Sequence, residues 1–188
     1  MLESRFISGA SKPGRPAEDF YPTPEWCTEE LLKRETFEGS ILEPCAGSGG
    51  ISNVLIKKGL EVYTNDIVNR GITLNYEKNM STEYFSNESF DNVVCDPPYK
   101  YMNDFLIKSL LIARKKVAFF VKLSFLESKA RYDIFKNEEF PLSKVLVFSK
   151  RPQRYRNGEN IKASSTYTCC WVIFDREYTG EPTIDFVL

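Results

Sequence analysis

The tetrapeptide Asp96-Pro97-Pro98-Tyr99 carries the most specific chemistry in this sequence. Its two prolines fix the backbone, so one carboxylate, one peptide carbonyl and one aromatic ring are held rigidly together. A planar amino group needs two acceptors in its plane and a ring against its face. Asp96 and the Pro97 carbonyl supply the acceptors, and Tyr99 the stack. The plainer reading is a stiff turn that ends a core strand, but turn prolines seldom come with this flanking pair.

A second constellation is Glu43-Pro44-Cys45-Ala46-Gly47-Ser48-Gly49-Gly50. Glycines let the chain turn sharply and approach a ligand where a side chain would clash. A phosphate-cradling dinucleotide loop wants G-x-G-x-x-G; Gly47 and Gly49 match, but Ser52 stands at the third position. An acid ahead of the glycines suits a ligand with a positive amino group better than a pyrophosphate. A simple strand–turn–helix corner is the competing reading. Asp66 falls at the end of the following strand, where an acid accepts hydrogen bonds from ribose hydroxyls; taken alone it reads as a turn or cap residue.

The elements that must position these residues follow from pattern. Residues 1–17, with Ser8, Gly9, Ser11, Pro13, Gly14 and Pro16, read as a flexible lead-in to a single domain over 18–188. Thr23-Pro24-Glu25 reads as a helix start, with Thr23 as N-cap, and that helix runs to about Glu35. Strands are expected over 40–43, 61–65, 90–95 and 117–123, and helices from about Gly50 to Lys58, over 103–115 and over 127–136. Residues between Asp66 and Phe90 look less regular. Two late strands, 144–149 and 167–174, flank a basic loop. This alternation predicts an α/β fold: a doubly wound, mostly parallel Rossmann-like sheet with a closing antiparallel strand pair. Ligands of such sheets lie outside the carboxyl ends of the strands, and residues 43–50, Asp66 and 96–99 all fall there.

Composition narrows the field. The 188 residues are 42% hydrophobic and 27% charged, ordinary for a globular chain, and no apolar run is long enough to span a membrane. The first ten residues lack a signal-peptide layout, and Cys27, Cys45, Cys95, Cys169 and Cys170 show no Cys-x-x-Cys spacing, so a cytoplasmic protein with reduced thiols is expected. There is no histidine, which removes triads, His-based acid–base chemistry and the usual zinc sets; no metal is expected. Net charge is −1, yet Lys144, Lys150, Arg151, Arg154, Arg156 and Lys162 cluster against a single acid, Glu159. That clustering suits phosphate contact or an ordinary solvated loop. No obligate protein partner is evident.

At these residues the sequence resembles the DNA adenine-N6 methyltransferases, especially the small phage-type enzymes that lack a restriction partner. Asp19-Phe20-Tyr21-Pro22-Thr23-Pro24 looks like the family's N-terminal cofactor motif, Glu43 to Gly50 like its Gly-rich motif, and Asp96 to Tyr99 like its catalytic D-P-P-Y. Residues 164–174 look like the phage group's closing strands, so the likeness covers roughly 18–188. It implies S-adenosyl-L-methionine as cofactor, contacted by Tyr21, Pro22, Thr23, Glu43, Pro44, Ala46, Gly47, Ser48, Gly49 and Asp66. It implies direct transfer to the N6 amine of an adenine flipped from double-stranded DNA, with Asp96, Pro97, Pro98 and Tyr99 as the catalytic set. Two departures stand out: there is no room for a separate target-recognition region, leaving 150–166 and the helix near Arg131 for that task, and the acid that contacts the cofactor adenine has no clear counterpart, Glu77 and Asn79 being nearest.

Four rivals remain. A protein-glutamine N5 methyltransferase uses a similar clamp but usually has Asn at position 96 and lacks a basic loop. An RNA base methyltransferase fits the same pocket. A binding module that lost catalysis would show damage to the clamp or the glycine turn, and neither is damaged. A dinucleotide oxidoreductase lacks its third glycine. Cytosine-C5 chemistry needs a cysteine nucleophile after a proline; no Pro-Cys occurs outside Pro44-Cys45 in the cofactor loop, which excludes it.

Overall fold

Short apolar runs that end at glycine, proline or an acid become strands in this chain, and their ends define the candidate site. The computed structural model describes residues 21–80, 82–83, 85–153 and 167–188. Among these, β1 (Ser40–Glu43), β2 (Glu61–Thr64), β3 (Phe90–Cys95), β4 (Ala113–Lys122), β5 (Leu142–Phe148), β6 (Cys169–Asp175) and β7 (Thr183–Val187) form one sheet in the order β2-β1-β3-β4-β6-β5-β7. Every pairing is parallel except those of β6, which runs against both β4 and β5. The sheet is therefore mostly parallel, with one reversed strand inserted near its far edge.

Helices cover both faces. On one, α1 (Glu25–Leu32) and α2 (Ser52–Lys57) bury Cys27, Leu31, Ile51 and Leu55 against Val94, Ala118, Phe120 and Trp171. The fully buried Trp171 also donates its indole N–H to the Cys27 carbonyl at 2.8 Å, which pins α1 to the sheet. On the other, α3 (Met102–Ile112) buries Phe105, Leu106 and Ile112 against Val93, Val117 and Phe119. Strands buried on both faces read as the continuous apolar runs seen in β4 and β6.

Four sequence expectations need correction. Thr23 is not the N-cap: Pro24 takes that place, no side chain caps the helix, and the Thr23 hydroxyl is drawn elsewhere. Residues 113–115 are strand rather than helix, because α3 passes into β4 without a loop at Ala113. There the basic residues find partners across the sheet, Arg114 on Asp91 and Lys116 on Glu35 and Asp175. The expected helix over 127–136 is broken into a 3-10 turn, Lys129–Arg131, and a one-turn helix α4 (Tyr132–Phe135), with a separate 3-10 turn, Leu123–Leu126, before it. Ser128 is extended, and Arg131 folds back to bond the Phe125 carbonyl at 2.8 Å, so that carbonyl is satisfied outside any longer helix. Finally, β7 adds a third late strand.

Candidate active site

Parallel pairing with matched register brings the carboxyl ends of β1, β2 and β3 to one edge. Asn65, fully buried just past β2, joins them. Its backbone N–H donates to the Glu43 carbonyl and its carbonyl accepts from the Ala46 N–H, both at 2.9 Å. Its side-chain amide donates to the carbonyls of Pro44 and Lys78, each at 3.0 Å, and its oxygen accepts from the Lys78 N–H at 2.8 Å. One residue thus fixes the glycine turn after β1, and draws Glu77 and Asn79 alongside the end of β2. Sequence reading passed over Asn65; a polar residue inside a strand-end run was the available signal.

The turn itself has the geometry its glycines allow. Gly47 and Gly49 sit at φ of 54° and 86°, where L side chains are strained. Asp66 holds the turn from the side: its Oδ2 accepts from the Gly47 N–H at 2.8 Å, while its Oδ1 accepts from the Val68 N–H and from Arg70. Pro44 and Ala46 are buried in this corner, and Ser48 is exposed on it. Glu43 lies beneath, 1% exposed, accepting from the Ser52 N–H at 2.8 Å. Burial pushes its carboxyl well above the usual carboxylate range; the Ser52 N–H opposes this, and the charges of Asp96 and Asp66 add to it.

Asp96 stands at the tip of β3 and accepts a 2.6 Å hydrogen bond from the Thr23 hydroxyl, joining the N-terminal motif to the D-P-P-Y tetrapeptide. Tyr21 and Pro22 lead into this contact. Pro97 is buried, while Pro98 and Tyr99 are exposed. Lys122, at the tip of β4, places its ammonium 4.4 Å from the centre of the Tyr99 ring and 3.4 Å from that of Tyr167, at the start of the reversed strand. Neither Lys122 nor Tyr167 stood out in the sequence, because Lys122 enters the site through β4 lying beside β3 and Tyr167 through β6 lying beside β4. Burial drives the Cys95 thiol up; for Cys45, a hydrogen bond from Cys95 pulls down, but burial and the three carboxylates outweigh it. Both sulfurs stay protonated at neutral pH and are poor nucleophiles.

The basic cluster divides. Lys144 lies within β5, paired with Glu35 and bonded to the Arg34 carbonyl, so it is a fold-bracing residue. Lys150 and Arg151 are exposed at the carboxyl end of β5, on the site's edge. Arg154, Tyr155, Arg156, Asn157 and Lys162 lie outside the described residues. Arg131 is committed to the Phe125 carbonyl and Asn103 and stacks 4.2 Å from the Phe125 ring, which makes it a brace rather than a phosphate grip.

Two outcomes follow. Asn65→Ala strands the Pro44 carbonyl and both Lys78 backbone groups, and is expected to cost about 2–4 kcal/mol in denaturant unfolding. Glu43→Gln is expected to stabilise the fold at neutral pH, since a carboxyl whose folded pKa is raised penalises the folded state above its unfolded value. That penalty is absent below about pH 4.3, grows as pH rises, and is complete above the raised pKa. Unfolding midpoints of the two proteins across a pH series should converge in acid and separate toward neutrality.

No family model matches the chain, and no curated protein matches it. Solved structures do. A candidate RNA methyltransferase of Pyrococcus horikoshii superposes with a TM-score of 0.60 at 16% identity, over 83% of this chain and 86% of that one. A modification subunit assigned to a type I restriction enzyme of Vibrio vulnificus YJ016 gives 0.62 at 13% identity, over 89% of this chain but 46% of that longer one. A predicted O-methyltransferase of Agrobacterium tumefaciens gives 0.58 at 14%, over 87% and 84%. At these identities the likeness is one of fold: the chain has the Rossmann-like architecture of the methyltransferases.

Proposed function

We propose that this chain transfers a methyl group from S-adenosyl-L-methionine to the exocyclic N6 amine of adenine in DNA. The observation that carries this reading is the meeting, at one sheet edge, of the Asp96-Pro97-Pro98-Tyr99 clamp with the glycine turn and Asp66.

The site's residues fit the cofactor. Asp66 and Asp96 are close enough to raise the proton affinity of Glu43, an arrangement that a cationic ligand would relieve. Gly47 and Gly49 open the backbone to close approach. Gly47, Gly49, Ser48, Tyr21, Pro22 and the Thr23 backbone would hold the methionine end, with Asp66 at the ribose and Glu77 or Asn79 near the adenine. Bound there, the cofactor supplies an electrophilic methyl on a sulfonium centre.

This chain's own residues do the rest by positioning. Asp96 and the Pro97 carbonyl accept the two N6 hydrogens, which fixes the amine's plane and raises electron density on nitrogen. With the cofactor held there, the N6 lone pair would take up that methyl, and the electron pair of the broken methyl–sulfur bond would stay on sulfur. The amine then carries a surplus proton, which Asp96 accepts and passes to solvent; no strong base is required. Tyr99 offers a ring face on which the flipped base exchanges with the Lys122 ammonium. Lys150, Arg151 and the basic residues that follow supply phosphate contacts. Asp rather than Asn at position 96, together with this basic loop, favours a nucleic-acid base over a protein amide.

Labelled-methyl transfer to DNA tests the assignment of roles. Asp96→Ala should abolish turnover while calorimetry finds S-adenosylmethionine affinity within about threefold, since the lost contact matters mainly near the transition state. Tyr99→Ala should weaken target engagement by about 1–3 kcal/mol. Turnover retained in Asp96→Ala would remove the carboxylate from the mechanism.

A further inference from the structure

The Thr23 side chain departs from both roles that its sequence position offers. It does not cap α1, and its hydroxyl points at the carboxylate 73 residues away rather than into the glycine turn. Its placement is built, not incidental. The side chain is 6% exposed, and Pro22 and Pro24 stiffen the backbone on either side. A Cβ on Gly50 would come within 2.4 Å of the Thr23 carbonyl oxygen, so only glycine lets the two backbones lie this close. Behind it, α1 is tied to the sheet by the Trp171–Cys27 hydrogen bond.

We propose that Thr23 is a positioning residue for Asp96, its hydroxyl proton fixing the carboxylate's plane so that it meets the target amine in line. The inference rests on the methyl-transfer reading above. A carboxylate on a strand tip rotates about its Cα–Cβ and Cβ–Cγ bonds, and a 2.6 Å charge-assisted bond to Oδ2 holds one orientation. The same bond favours the ionised form. Gly50 serves the same end indirectly, by letting the Thr23 backbone seat deeply enough for its hydroxyl to reach.

The experiment is steady-state methyl transfer by the full chain carrying Thr23→Val, Thr23→Ser or Gly50→Ala, with Asp96→Ala alongside. Thr23→Val, which keeps shape and loses the donor, should lower kcat about tenfold or more while both KM values stay within about threefold. The acid limb of its kcat–pH profile should move to higher pH, because Asp96 loses a bond to its charged form. Thr23→Ser, which keeps the donor, should restore kcat and the profile, and Gly50→Ala should resemble Thr23→Val. A Thr23→Val protein with unchanged kcat and profile overturns the proposal, as does a rise confined to the cofactor KM, which would make Thr23 a cofactor contact instead. Failure of Thr23→Ser to restore turnover overturns it too, by showing a purely steric role. If Asp96→Ala itself turns over normally, the methyl-transfer reading has failed at its own residue, whatever Thr23 does.

Discussion

Asn65 carries the architecture of the site. A buried amide whose two nitrogen protons and oxygen are all engaged is worth more than its separate contacts. Its five hydrogen bonds join the ends of β1 and β2 to the segment around Lys78. That segment covers the outer edge of β2: Asn75 and Tyr76 donate their backbone N–H groups to the Thr64 carbonyl. In the described residues from 65 to 89 no helix or strand follows β2, so side-chain bonding does here what a further strand would do. The glycine turn, Asp66 and residues 77–79 are consequently set by one anchor.

On that anchored edge sits a concentration of negative charge that the fold alone would not choose. Glu43 is buried where its ionised form is penalised, and Asp66 and Asp96 worsen that penalty. Structural needs explain only part of this. Asp66 props the turn with both of its oxygens, but the Ser52 N–H needs only one acceptor, which a neutral amide in place of Glu43 would supply. A buried carboxyl with a raised pKa beside two further carboxyls, at the carboxyl edge of a parallel sheet, is what a site for a cation looks like. Under the proposed reading, cofactor binding would relieve this destabilisation, the ordinary relation between stability and function at such sites.

How far the sequence discloses this depends on the range of the interaction. Strands β1 and β3 begin and end where their apolar runs meet glycine, proline or acid, so local chemistry defines them. The clamp and the glycine turn were legible for the same reason. What was not legible depends on partners distant in the chain. Arg114 and Lys116 look like a helix surface until Asp91, Glu35 and Asp175 appear across the sheet. Thr23 reads as a cap because nothing nearby reveals Asp96. Ile184 and Phe186 alternate properly for a strand, but both are exposed, so β7 lacks the burial that makes such a pattern decisive. Lys122 meets Tyr99 because β4 lies beside β3, and Tyr167 meets Lys122 because β6 is reversed and inserted beside β4.

The central claim concerns one atom, the N6 nitrogen of adenine in DNA. The most direct measurement supplies the purified chain with S-adenosylmethionine bearing an isotopically labelled methyl group, offers DNA, RNA and cell protein in separate reactions, and identifies the labelled product by mass spectrometry after digestion. The account predicts label on N6-methyl-2′-deoxyadenosine from the DNA reaction. Label confined to RNA nucleosides, to glutamine side chains or to another DNA base would contradict it.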